Sequence, residues 1–444
     1  MCGGDLIGRN TNIMKVLIRT IFYMSWVVGL CLPTHLAAQE KTSKHREINW
    51  SVNLASRPDS LKLTWFNLGL ITNIDEQRGL GVNVLSSAVH QRMNGVQLAG
   101  VLDYASYMNG LQISGLANFV KNGANGMMLS ALVNAVGGDA AGFQLSGLTN
   151  ITGKRFDGLA LSGLMNISTD VVNGVQMAGL LNTCGGKVNG LQLSLLGNVG
   201  TVVSGSQLCM ISNIASDRII GLQWAGVANI AVNADHAVQL STLTNVCLDT
   251  MKGAQVAIIG NYAEHVEGAQ IGLFNIATGK VRGWQVGVVN HSTDTTAHKI
   301  GLVNVTPKTK IQAMLFGSNT SKFNVAVRFK NRMNYSILGI GSHYFDMNED
   351  FSGCLFYRTG LYFPLKHKFE ISGDLGFFHI EDFEDEDAET PIRLYSLQAR
   401  VNLSYRILPK LNVFASTGYA MTRYYKKNKL FENKGIIEAG IILF

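Results

Sequence analysis

The sequence has little charge, few prolines and few cysteines. Only 15% of its 444 residues are Asp, Glu, Lys or Arg, whereas 47% are hydrophobic. The net charge of +7 is spread thinly, without a basic stripe interleaved with aromatic residues, so the chain is not expected to bind nucleic acid. Six prolines stand against 48 glycines. Low charge with abundant glycine and β-branched residues favours an all-β protein.

The cysteines do not form a recognisable metal or redox motif. Cys184, Cys209, Cys247 and Cys354 form no CxxC pair, and no histidine lies near them at the spacing of a zinc site. Cys2 and Cys31 lie in the N-terminal leader. The other four, Cys184, Cys209, Cys247 and Cys354, are expected to be small buried hydrophobic residues.

The N-terminus lacks an apolar run of the ~20 residues that a membrane helix needs. From Met14 it reads MKVLIRTIFYMSWVVGLCLPTHLAAQE, with basic residues before a shorter apolar run and small residues before Gln39. This pattern predicts a leader over residues 1–38 that ends in a secretory signal peptide, cleaved after Ala38. The predicted signal peptide is compatible with a translation start at either Met1 or Met14.

A repeat of 15 or 16 residues occupies the middle of the chain. Each unit begins with a small residue, and in eleven of thirteen units the residue two positions later is Gln. The units begin at Gly95, Gly110, Gly126, Gly142, Gly158, Gly174, Gly190, Gly205, Gly221, Ala237, Gly253, Gly268 and Gly283. A constant phase over so many units predicts a repetitive β-architecture.

From the second unit onward, each repeat has an Asn near its ninth position. These residues are Asn118, Asn134, Asn150, Asn166, Asn182, Asn198, Asn213, Asn229, Asn245, Asn261, Asn275 and Asn290. If the units stack in parallel, each Asn lies ~4.8 Å from the next, and their amides can form a hydrogen-bonded ladder. We therefore interpret them as structural residues, with no catalytic, cofactor-binding or metal-binding role.

Two architectures fit this period: a parallel β-solenoid of about 13 coils, or one large antiparallel membrane β-barrel. The solenoid is favoured because the residue two before the leading residue is apolar in twelve units, with Asp235 as the exception. Membrane barrels instead alternate short turns with long wet loops. A bend at Ser-Gly is expected to turn both Leu145 and Leu148 toward the core. We assign residues 39–66 to an N-terminal cap or strand and 67–320 to the repeat domain.

Residues 321–444 have a different pattern. Seven segments alternate apolar and polar residues, are rich in Tyr and Phe, and are separated by polar turns, which is typical of a small antiparallel membrane barrel. A soluble β-sandwich is the alternative. A closed barrel needs an even strand number, so the eighth strand is expected from Glu47–Ala55 or from Lys310–Gly317.

The GLQxxGLxN units from about Gly69 to Asn304, after a signal peptide, resemble the surface repeat-containing proteins of Gram-negative envelopes. The terminal segment GIIEAGIILF, ending in Phe444, resembles the last strand of Gram-negative outer-membrane proteins, where the aromatic residue helps recognition by the barrel assembly machinery. The resemblance implies a location at the outer membrane or cell surface. It brings no functional residues.

The sequence contains no arrangement typical of an enzyme. The acidic run Glu381–Glu389 does not match an EF-hand, and His236, His265, His291 and His298 lack partners at triad or zinc spacing. We expect a non-enzymatic surface protein without cofactor, a structural or adhesive rod held by a barrel. Its expected partners are outer-membrane lipid and the assembly machinery. The alternative is an outer-membrane pore or transport protein whose barrel strands are the repeats.

Overall fold

The computed structural model describes residues 46–55, 62–331, 334–342, 352–382, 392–426 and 428–444. The chain divides into two compact units, one up to Ile271 and one from Gly272. Its fold is a parallel β-solenoid of about 14 turns and a closed eight-stranded antiparallel β-barrel, which confirms the predicted fold class. The predicted signal peptide and most of the acidic run lie outside the described residues. Within the described ranges, no helix is long and apolar enough to cross a membrane.

The first unit is built from parallel strands that stack coil on coil. Gly174 pairs with Gly190, and Asn182 pairs with Asn198, so equivalent positions of successive repeats lie side by side. This direction excludes the alternative in which the repeats are antiparallel barrel strands. The strands are β1 (Arg46–Ala55), β2 (Lys62–Ala99), β3 (Leu102–Ser114), β4 (Ala117–Ser130), β5 (Val133–Val136), β6 (Asp139–Ser146), β7 (Thr149–Thr152), β8 (Phe156–Ser162), β9 (Met165–Ser168), β10 (Val172–Ala178), β11 (Leu181–Cys184), β12 (Lys187–Ser194), β13 (Gly197–Cys209), β14 (Ser212–Ala225), β15 (Ala228–Ser241), β16 (Thr244–Ala257) and β17 (Gly260–Ile271).

The leading glycine of each coil is required by backbone geometry. Gly142 has φ 115°, and a Cβ atom there would collide with the carbonyl oxygen of Gly126 in the preceding coil. Glycine occupies this region without the penalty that other residues incur. In the coil that begins with Ala237, the positive φ falls instead on His236, at 48°. The repeat therefore keeps glycine where the chain turns and coils approach closely.

The interior of the solenoid differs from the predicted one. The apolar residue two before the leading glycine is buried as expected, for example Val172 at 0% exposure. However, Leu145 and Leu148 are 41% and 39% exposed, so the prediction that they face a core was wrong. The stacked Gln and Asn side chains already fill the inward positions, and strand alternation beside Gln144 places Leu145 outside. Leu148 lies in the bend between β6 and β7, where the alternation is interrupted, and it also faces outward.

The second unit begins with further coils and continues into the barrel. Its coil strands are β18 (Phe274–Ala277), β19 (Val281–Val286), β20 (Val289–Ser292), β21 (His298–Ile300) and β22 (Val303–Val305). Asn275 pairs with Asn290, and Asn290 pairs with Asn304, in parallel register.

The barrel strands are all antiparallel to their neighbours. They are β23 (Lys310–Ser318), β24 (Phe323–Lys330), β25 (Asn334–Ser342), β26 (Ser352–Pro364), β27 (Phe369–Asp382), β28 (Ile392–Leu408), β29 (Leu411–Tyr424) and β30 (Leu430–Leu443). The barrel closes between β23 and β30, where Met314 pairs with Ile442. Of the two candidates for the eighth strand, the chain uses Lys310–Ser318, whereas Arg46–Ala55 pairs in parallel with β2.

Candidate functional site

The predicted ladder asparagines are buried and joined to one another within each unit. In the first unit, Asn118 donates its Nδ2 hydrogen to Oδ1 of Asn134 over 2.8 Å, and the same contact repeats coil by coil to Asn261. In the second unit, Asn275 donates to Asn290 and Asn290 to Asn304, each over 2.9 Å. All twelve predicted side chains are at most 2% exposed. These contacts hold successive coils in register.

A second ladder is formed by the glutamines of the repeat. Gln192 donates to Gln176 over 2.9 Å, and the series continues through Gln270. Here the later coil donates to the earlier one, so the direction of donation is opposite to that of the Asn ladder. Each ladder satisfies amides that would otherwise cost about 1–3 kcal/mol when buried without a partner.

Asp103 occupies the ladder position in the coil before Asn118. It pairs in register with Asn118 and is fully buried. In the described part of the chain, neither of its carboxyl oxygens has a hydrogen-bond partner, and neither does Oδ1 of Asn118. Burial raises the pKa of Asp103 to about 8. A protonated Asp103 can donate its O–H to the free Oδ1 of Asn118 and so begin the ladder.

The barrel interior contains a charged cluster that the sequence pattern did not identify. Arg358 donates to Asp374 through Nε over 2.9 Å and to Glu438 through Nη1 over 2.8 Å. Arg400 Nε forms an ion pair with Glu438 over 3.3 Å. Tyr335 also donates to Asp374, over 2.8 Å. The charged side chains are at most 1% exposed, so paired charges replace water as their neighbours.

Aromatic side chains fill part of the remaining lumen, beside buried polar groups such as Gln312 and Asn324. Phe356 stacks on Phe378 with ring centroids 4.8 Å apart, and Phe316 meets Phe414 edge-on at 5.8 Å. The cavity beside the charged cluster measures about 10 Å³, and roughly 10–15 Å³ is needed for a single water. An eight-stranded barrel is just wide enough for its own side chains to fill it.

The barrel's outer surface is apolar. The outward side chains that are at least half exposed include Ile311, Ile340, Leu355, Leu361, Leu375, Leu397, Val401 and Ile437. On β30, Ile437 is 71% exposed while its neighbour Glu438 is 1% exposed. The buried charges Arg358, Asp374 and Glu438 therefore lie inside the barrel while aliphatic groups cover its outside, which is the reverse of a soluble barrel. The strand alternation contained this signal, since Asp374, Arg400 and Glu438 lie within apolar segments.

The remaining candidate chemical groups are the cysteines and the titratable side chains. All four cysteines of the described ranges are buried and free. Among the described residues, no group of three or more His, Cys, Asp and Glu side chains is placed to hold a metal ion. The titratable cluster of the barrel is closed off by its own ion pairs.

Comparisons with known proteins give little similarity. No family model matches the chain. A search of characterised proteins finds no match either. Among solved structures, the chain is similar to the crystal structure of Neisserial surface protein A (NspA), with 11% identity and a TM-score of 0.23. The similarity covers 30% of this chain and 93% of that chain. A similarity at this level does not establish a shared fold.

Proposed function

We propose that this chain is a non-enzymatic outer-membrane protein of a Gram-negative cell surface. The barrel anchors it in the membrane, and the repeat solenoid serves as a structural or adhesive rod. The observation that carries the proposal is the reversed polarity of the barrel, with Arg358, Asp374 and Glu438 inside and aliphatic side chains outside. In lipid, exposed charges are costly, whereas paired interior charges are tolerated.

The filled lumen supports an anchor in preference to a pore. The interior is occupied by the ion-pair cluster and by stacked aromatic rings, and the repeats form no barrel strands. Strand closure also leaves no open edge, as lipid requires. The pore alternative required the repeats to be barrel strands that line a channel. The repeats instead stack in parallel coils.

The sequence supports the location of the protein. The predicted signal peptide leads to export, and the C-terminal aromatic residue Phe444 resembles the recognition signal of barrel assembly. The repeats resemble those of envelope surface repeat proteins. Amide ladders join many coils into one continuous stack, which is consistent with a structural or adhesive role.

The proposal is tested with two deletions in the exported protein. Removal of Gly435–Phe444 takes away most of β30 and leaves β23 and β29 with unpaired edges, so membrane assembly should fail. Removal of residues 158–189, two whole coils, should shorten the solenoid without affecting insertion, because each coil contacts only its neighbours. Fractionation and heat-dependent gel mobility report insertion. Assembly of the truncated barrel, or loss of insertion after the coil deletion, would refute the anchor.

A further inference from the structure

In the first unit, polarity is reversed in the solenoid as well as in the proposed membrane anchor. The amides of Gln223 and Asn229 are fully buried, whereas the hydrophobic Trp224 and Val227 beside them are 45% and 38% exposed. Soluble proteins rarely expose a continuous apolar patch larger than about 300–600 Å². Here such residues recur in every coil, so the exposed apolar surface extends along the unit.

Charged residues are absent from the part of each coil that forms this apolar surface. In each coil from Gly110 to Ala263, the first eleven residues contain no Asp, Glu, Lys or Arg. The charges lie in the connectors, where both signs occur, as in Lys154, Arg155 and Asp157. Every coil thus has an uncharged outer part and a charged connector.

We call the outward seventh and fourth positions of these coils the apolar band. The seventh-position row, 38–46% exposed, consists of Leu116, Leu132, Leu148, Leu164, Leu180, Leu196, Ile211, Val227, Leu243 and Ile259. The fourth-position row includes Leu145, Leu161, Met177, Leu193 and Trp224, which with Met210 line a groove of about 520 Å³. The groove runs across several coils.

The band has few polar groups to offer a partner. Its backbone N–H and C=O groups are used in the parallel pairing between coils, for example along Gly221–Ala225 with the preceding strand. A protein interface normally forms about one hydrogen bond per 100–200 Å². Hydrocarbon, by contrast, requires that backbone polar groups be satisfied internally, and the parallel pairing between coils supplies such partners.

We propose that the apolar band of the first unit contacts the acyl-chain region of a lipid bilayer. The uncharged rows match hydrocarbon, and the connectors, which carry both signs, match the headgroup layer and water. The solenoid would then lie along a membrane surface instead of standing free in water. This goes beyond a barrel anchor, because it assigns a lipid-binding surface to the repeats themselves.

Tryptophan fluorescence tests this contact directly. The five tryptophans are Trp26, Trp50, Trp65, Trp224 and Trp284, and residues 285–444 contain none, so the barrel contributes no signal. In the test variant, Trp224 is kept and the other four are replaced with Phe. The control starts from the test variant and adds Trp224→Phe and Lys154→Trp. Its single tryptophan therefore lies on an exposed connector. Both full-length proteins are reconstituted in vesicles of zwitterionic phospholipid with brominated acyl chains.

We expect bromine to quench more than half of the Trp224 emission and to leave the Lys154→Trp probe bright. The charged substitutions Leu180→Glu and Leu196→Glu, at exposed positions, should restore much of the Trp224 emission. Protease resistance measures barrel insertion in the same vesicles. An inserted barrel with unquenched Trp224 overturns the inference and leaves the proposed anchor intact. Trp224 emission that changes with protein concentration but not with brominated lipid also overturns the inference. That result would mean that a second copy of the chain covers the apolar band.

Discussion

Asn166 donates its Nδ2 hydrogen to Oδ1 of Asn182 over 2.9 Å, although the two residues are sixteen positions apart in the chain. Its second hydrogen goes to the carbonyl oxygen of Met177 over 2.8 Å. Asn182 repeats both contacts toward Asn198 and Leu193. Each buried amide therefore links its own coil to the next one twice. The repeat depends on the amide hydrogens as well as on the shape of the side chain.

Asn182→Asp should destabilise the first unit, because a carboxylate cannot donate to Asn198 and would stand beside the Oδ1 acceptor of that residue. A buried acceptor left without a donor costs about 1–3 kcal/mol, and a buried charge costs more. Urea unfolding followed by circular dichroism measures the loss. Asn122→Asp, on an exposed connector, is the matched control and should change stability by no more than about 0.5 kcal/mol. Equal unfolding midpoints for the two variants would rule out the ladder as a source of stability.

Asp103 should make the stability of the first unit depend on pH. Its pKa is raised to about 8 by burial, whereas an unfolded Asp titrates near ~3.9. The folded state thus retains the proton longer, and the stabilisation present at acid pH is lost as pH rises toward and through 8. We expect unfolding midpoints to fall over this range.

Asp103→Asn should remove that slope, since an amide donates to Asn118 at any pH. At pH 8 the variant should be more stable than the parent protein by about 1–3 kcal/mol, the usual cost of an unsatisfied buried group. Asp217→Asn, on an exposed connector, serves as the control and should leave the slope unchanged. A parent protein whose midpoint is flat between pH 5 and 9 would contradict the proton-donating role.

The sequence predicted the fold class because a strict period leaves few architectures, and because the ladder Asn residues need stacking partners of their own kind. It failed on Leu145, since strand alternation alone does not say which face is the interior when both sets of side chains recur with the same period. The polar set is inside here because stacked amides satisfy one another. The barrel cluster of Arg358, Asp374 and Glu438 was missed for a related reason: its members lie on three different strands, and only the closed barrel brings them together.

Cys184 and Cys247 should never form a disulfide within one molecule. They occupy equivalent places four coils apart, which corresponds to ~19 Å at the spacing of parallel strands, far beyond the ~7 Å limit between Cα atoms. Burial raises the pKa of Cys184 to about 11 and that of Cys247 to about 12, so both thiols should resist alkylation in the folded protein. Mass spectrometry after iodoacetamide treatment should find them modified only in denaturant, while Lys154→Cys reacts at once. A Cys184–Cys247 crosslink in an oxidised monomer is incompatible with stacked coils.

Glu438→Gln should weaken the barrel, because it leaves Arg358 and Arg400 with less compensating charge in a closed interior. Breaking a buried ion pair by removing one partner typically costs about 3–5 kcal/mol. In detergent micelles, the variant should lose its folded gel mobility at a lower temperature or urea concentration than the parent. Glu432→Gln, at an exposed position of the same strand, should behave as the parent does.

The same pair of variants separates an anchor from a channel. The stacked rings of Phe356 and Phe378 still occupy the lumen in both variants. We therefore expect that neither the parent nor Glu438→Gln conducts ions steadily in planar bilayers. If the interior charges instead lined an ion path, removal of one carboxylate would alter conductance or selectivity while the barrel remained folded. Stable single-channel steps in the parent, changed in size by Glu438→Gln but not by Glu432→Gln, would therefore replace the anchor with a pore.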